Sequence, residues 1–119
     1  MPATALPPIP TGFTRTVAER AFTCREHGRD VPVRVEFGEP RRDVAVVNGT
    51  DWRCPLRLSV GGTVTLRQAM GVDSLQALQL AFEVARAELA ALAGRDGVEL
   101  HYLDEPVDTS RQGWERGLA

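Results

Sequence analysis

The period of the apolar residues changes once along this chain, at Gly71, and the change fixes what the chain can fold into. Before Gly71 apolar residues recur at every second position. Val31, Val33, Val35 and Phe37 alternate with Pro32, Arg34 and Glu36, and Trp52, Cys54, Leu56, Leu58 and Val60 alternate with Arg53, Pro55, Arg57 and Ser59. Period two puts one set of side chains on each face of a strand. After Gly71, residues Leu75, Leu78, Phe82, Ala85, Leu89 and Leu92 recur at steps of three and four, the stripe of an amphipathic helix. Strands first and a single long helix after them place the chain in the α+β class.

Local signals punctuate these runs. Thr16–Arg25 suits a first strand, and Glu26-His27-Gly28-Arg29-Asp30 turns it into the Val31–Phe37 strand as a hairpin. The stretch Gly38–Thr50 reads as a loop, in which Val44–Val47 followed by Asn48-Gly49 leaves open an extra strand over 43–50 ending in a type I′ turn. Asp51–Val60, the Gly61-Gly62 turn and Thr63–Ala69 make a second hairpin. Pro32 and Pro55 cannot donate ladder hydrogen bonds, so each marks an edge position or a bulge. The helix is expected over Ser74–Ala93, with Asp73 as N-cap, Gln76 three residues later as in a capping box, and Gly94 closing it in the left-handed conformation. Such a helix spans about 30 Å, the length of a strand of about nine residues, and can cover a sheet face. Val98–Leu103 completes a β-β-β-β-α-β order. The expected fold is a four- to five-stranded mainly antiparallel sheet with one long helix packed across one face. Its expected core is Val33, Val35, Phe37, Trp52, Leu56, Leu58, Leu75, Leu78, Phe82, Ala85 and Leu89.

Four prolines in the first ten residues assign 1–13 to a disordered, solvated tail; 14–104 form one α+β domain and 105–119 a polar C-terminal tail that Trp114 can pin to the body. The net charge of −2 argues against nucleic-acid binding and against a polybasic membrane anchor. All fourteen basic residues are arginine, which excludes a Schiff-base or P-loop lysine. Their spread along the chain fits compositional bias better than a binding cluster. Cys24, Cys54, His27 and His101 lack metal-ligand spacing, so no metal is expected, and no cofactor either. The N-terminus has no basic run before an apolar one, and Glu83, Arg86 and Glu88 interrupt the helix, so neither a signal peptide nor a membrane span is expected. The protein is expected to be cytoplasmic, with two reduced and mostly buried thiols.

Two resemblances bear on function. Gly71-Val72-Asp73-Ser74-Leu75 is similar to the attachment site of acyl and peptidyl carrier proteins, in which a serine at a helix N-terminus carries phosphopantetheine. That resemblance covers residues 71–80, implies a modified Ser74, and implies a helical bundle that the preceding period-two pattern does not fit. A broader one spans about residues 17–103. Ala18-Glu19-Arg20-Ala21-Phe22, Asp51-Trp52-Arg53-Cys54-Pro55 and Gly71-Val72-Asp73-Ser74-Leu75-Gln76-Ala77-Leu78 resemble the first strand, a middle strand and the helix start of a family of small bacterial proteins, domain of unknown function 6968. That resemblance makes Ser74 a helix cap and brings no activity with it.

The expected function is therefore a non-enzymatic protein-interaction module, a class that includes immunity proteins for bacterial toxins, with a protein partner, self or other. The candidate surface is the stripe Arg34, Arg53 and Arg57 on the uncovered sheet face, where guanidinium groups meet carboxylates or phosphates. The alternatives are a carrier-like protein modified on Ser74 and a small-molecule module whose cavity, between helix and sheet edge, would be lined partly by those arginines.

Overall fold

The computed structural model describes residues 5–118. The elements run β1 (Thr16–Glu26), β2 (Arg29–Gly38), β3 (Arg41–Val46), β4 (Gly49–Val60), β5 (Thr63–Gly71), α1 (Ser74–Ala93), β6 (Val98–Tyr102), β7 (Glu105–Pro106) and α2 (Arg111–Leu118). The class is α+β, with every strand pair antiparallel. The sheet has seven strands rather than four or five. The additions are β3, inside the expected loop, and β7, inside the expected tail. The tail also forms α2, with Ser110 Oγ accepting from the Gly113 N–H at its start.

Strand β4 is the hub. Leu56–Val60 pair with β2 and Gly49–Arg53 with β3, both on one side, while Trp52–Val60 pair with β5 on the other. Strands β2 and β3 thus form one interrupted strand along β4, broken where residues 38–40 lie opposite 54–55. Pro55 sits at that break, where its missing N–H leaves no ladder bond unmade. Pro32 likewise lies past the last β2–β4 pair, with a ladder partner on the β1 side only.

The hairpin turns follow the local chemistry. His27 and Gly28 both have positive φ, 50° and 80°, the signature of a type I′ turn. In the Val47-Asn48 turn only Asn48 is left-handed, at φ 67°, so the β3–β4 link is not the expected type I′ turn on Asn48-Gly49. Leu103 belongs to no strand. With Asp104 it makes the β6–β7 turn at φ 51° and 65°, a strained conformation for a leucine that is largely exposed.

Helix α1 has the expected bounds, but Gly94 ends it at φ −81°, in the right-handed region and not the expected left-handed one, with its N–H donating to the Ala90 carbonyl. Asp73 accepts from the Gln76 N–H at 2.7 Å, and Gln76 Oε1 accepts from the Val72 N–H at 2.8 Å. Its buried face is Ala77, Ala81, Ala85, Leu89 and Leu92. Leu78 and Phe82 are half-buried at its border, Phe82 meeting Phe37 edge-on at 4.6 Å, and Leu75 points away at 62% exposure. The expected stripe is therefore rotated. A Cβ on Gly71 would come within 2.5 Å of the Ala77 amide nitrogen, so the first turn of the helix lies hard against the end of β5, and the buried face there is alanine. The rest of the core comes from Phe22, Cys24, Val33, Val35, Phe37, Cys54, Leu56 and Leu58 on the covered face. Trp52 is half-buried at its rim.

Candidate functional site

The uncovered face of the sheet carries the three arginines singled out by the sequence, and they do not form a free basic stripe. Arg57 makes a two-point ion pair with Glu36 across the β2–β4 ladder, at 2.8 and 3.0 Å. The Arg57 bonds hold the Glu36 carboxyl below its usual range. The Arg57 guanidinium also lies 4.3 Å from the Phe13 ring centre. Arg53 is only 4% exposed. It donates to Asp43 Oδ1 at 2.8 Å, to the Gly12 carbonyl at 2.7 Å and to Gln68 Oε1 at 3.3 Å. Arg34 alone stays exposed, beside Ala21 and Ser59 in the ladders.

Arg53 is buried because the N-terminal segment crosses this face. The Pro10 carbonyl accepts from Gln68 Nε2, the Gly12 carbonyl from Arg53, and Thr14 Oγ1 donates to the Glu39 carbonyl. Residues 10–14 therefore meet the sheet, whereas the sequence assigned 1–13 to a solvated tail; residues 1–4 lie outside those described. Period-two alternation marks Arg53 as the solvent-side position, and nothing local signals that a strap 41 residues earlier in the chain, at Gly12, covers it.

Beyond the strap lies the free edge of the sheet. Among the described residues β5 pairs with β4 only, so one side of a nine-residue strand has no ladder partner, while the Leu66 carbonyl accepts from Arg67 Nη1 at 3.1 Å. On its outer face Val64 is 58% exposed, Leu66 48% and Met70 39%, and Val72 follows at 71%. Arg67 is the strand's charged residue, and Glu88 on α1 takes it at 2.8 Å.

Ser74 is exposed and opens α1, between exposed Val72 and Leu75. The chain before it is sheet, not the bundle that the carrier resemblance implies. The hollow between α1 and the sheet edge, about 220 Å³ and lined by Leu58, Thr65, Glu88, Leu92 and Arg95, contains none of Arg34, Arg53 and Arg57. A larger one, about 310 Å³, lies between Arg20, Tyr102, Val107 and Trp114, with Arg20 stacked 4.4 Å over the Tyr102 ring. Trp114 packs on the core, and its buried Nε1 has no hydrogen-bond partner among the described residues.

Both cysteines are free and buried. Burial pushes the Cys54 thiol up to about 11, and burial followed by Glu26 raises Cys24. Neither is poised as a thiolate. Among the described residues no group of three or more His, Cys, Asp and Glu side chains is placed to hold a metal ion, and no helix is long and apolar enough to cross a membrane.

Residues 18–112 match the family described as Domain of unknown function (DUF6968). No curated protein and no solved structure matches the chain.

Proposed function

The chain belongs to the family of domain of unknown function 6968, and from that premise we propose that it is a non-enzymatic protein-interaction module whose contact surface is the free edge of β5. The observation that carries this is the exposed apolar row Val64, Leu66 and Met70 on a strand that, among the described residues, has a partner strand on one side only. Sheet edges in monomeric proteins are blunted by charges, prolines or bulges, because an open edge pairs with other strands. Between Thr63 and Gly71 there is no proline, and the one arginine is neutralised by Glu88. The arginines of the open face are less suited to a partner, since Glu36 and Asp43 already hold Arg57 and Arg53. A photo-crosslinking side chain at position 66 is expected to capture a polypeptide of defined mass, while the same group at exposed Val47 captures none. Equal labelling at both positions, or none at either, counts against the β5 edge.

A second reading keeps Ser74 as an attachment point, favoured by its exposure at a helix start with apolar neighbours Val72 and Leu75. Incubation with coenzyme A and a broad phosphopantetheinyl transferase separates the two: an unchanged intact mass removes the carrier alternative.

A further inference from the structure

We propose that the strand received by the β5 edge is β5 of a second copy, paired antiparallel about a twofold axis through Gln68. This rests on the interaction reading above and names its partner.

In a twofold antiparallel pair the residues equally far before and after the axis face one another. The exposed apolar side chains of this edge are spaced for that. Val64 and Leu66 lie four and two residues before Gln68; Met70 and Val72 lie two and four after it. A pairing centred on Gln68 sets Leu66 against Met70 of the copy and Val64 against Val72 of the copy, each match made twice. The alternate positions place Arg67 opposite Ala69 and Thr65 opposite Gly71, so no like charges stand directly opposite; the two Arg67 side chains become diagonal neighbours, each held by its own Glu88. Neighbouring centres do worse. Centring on Arg67 puts two guanidinium groups face to face, which destabilises a cross-strand pair. Centring on Leu66 sets Met70 against Gly62 and Val64 against Gln68.

Charge also selects a copy over a strongly charged partner. Arg67 is the single ionisable residue from Thr63 to Val72, and its ion pair with Glu88 leaves the edge without net charge. An edge of that kind does not repel itself and offers little to an acidic or basic segment. The axis position is held in place as well: Gln68 donates to the Pro10 carbonyl and accepts from Arg53, which ties its amide to its own chain.

The test uses the full chain. Sedimentation over a wide concentration range is expected to show a monomer–dimer equilibrium. The exposed-site double variant L66E/M70E is expected to weaken the dimer by about 100-fold or more, because four carboxylates would be brought together. Its far-UV circular dichroism and urea midpoint should stay as in the parent. A second variant reads the register. L66C/M70C, oxidised with glutathione disulfide, should give a covalent dimer, and L66C alone should not, since position 66 then faces Met70; Cys54 and Cys24 are buried and do not confuse the result. A dimer that survives L66E/M70E, or one that L66C/M70C fails to link, overturns the proposal. So does a chain that stays monomeric at several hundred micromolar. In that monomeric case the crosslinker at position 66 tells the two ideas apart. An adduct with a different polypeptide overturns the self-pairing and leaves the β5 edge as a contact surface, while no adduct removes both.

Discussion

Arg53 shows how a charged side chain comes to lie inside a small sheet. Its alternation with Trp52 and Cys54 marks the solvent face correctly, and Pro55 and Arg57 share that face. What alternation cannot register is the strap at Pro10–Thr14, which lies against this face from the far end of the sequence. Once covered, the guanidinium needs acceptors for its charge and its N–H groups, and Asp43, Gly12 and Gln68 supply them. Arg53→Ala leaves Asp43 without its cation. The cost is expected near the low end for a broken buried pair, about 3 kcal/mol, because Asp43 keeps a third of its surface in water. Urea unfolding measures it, and faster amide exchange around Gly12 should accompany it as the strap loosens.

Glu83 supplies a pH signature at the same scale. Arg86, and then Arg111, hold its carboxyl down to about 2, against an ordinary 4.5. The ionised form is favoured in the folded chain, so its stabilisation is complete above 4.5 and is lost as pH falls from there to about 2. Glu36, lowered by its bonds to Arg57, acts in the same direction. Glu83 remains more than a third exposed, and solvent screening keeps the effect small. Glu83→Gln is expected to flatten part of the fall in urea midpoint over that acid range and to leave the neutral-pH midpoint slightly lower. An acid limb with the same slope in both proteins would contradict this.

At the scale of elements, existence and type were legible where chemistry is local. The helix bounds follow from Asp73, Gln76 and Gly94, and the hairpins from His27-Gly28 and Gly61-Gly62. The helix face was not legible. A leucine stripe and an alanine stripe run side by side on α1, and hydrophobicity favours the leucines. The deciding fact is steric: Gly71 brings the helix so close that Ala77 and Ala81 have no exposed surface. Strand β7 was not legible because Glu105-Pro106 is too brief for a period and the turn before it uses Leu103, which no turn rule favours. Two substitutions test the rotated face. Leu75→Lys should change stability by no more than about 0.5 kcal/mol, as for an exposed site. Ala81→Leu should cost about 1–3 kcal/mol by overpacking. The reverse ranking in urea midpoints would restore the leucine-facing helix.

For the whole molecule, the order of strands matters more than their number. Strand β4 has ladder partners on both sides over most of its length, and the helix covers it and β5. Opening β4 therefore means separating β2, β3 and β5 together, close to global unfolding. The ends of the sheet are different: β7 is two residues long and hangs on β6 alone. Native-state hydrogen exchange should rank the amides of Leu56, Arg57 and Leu58 slowest and those of β7 and its turn fastest. On β5 the two sides of the strand should separate. Amides that face β4 exchange slowly, and those on the free edge exchange quickly in dilute protein. If the edge accepts a second copy, these outer amides become protected as concentration rises while the β7 amides do not change. Uniform concentration dependence across both ends of the sheet would point to non-specific association instead, and slow exchange on both sides of β5 at every dilution would mean that its edge is covered within a single chain.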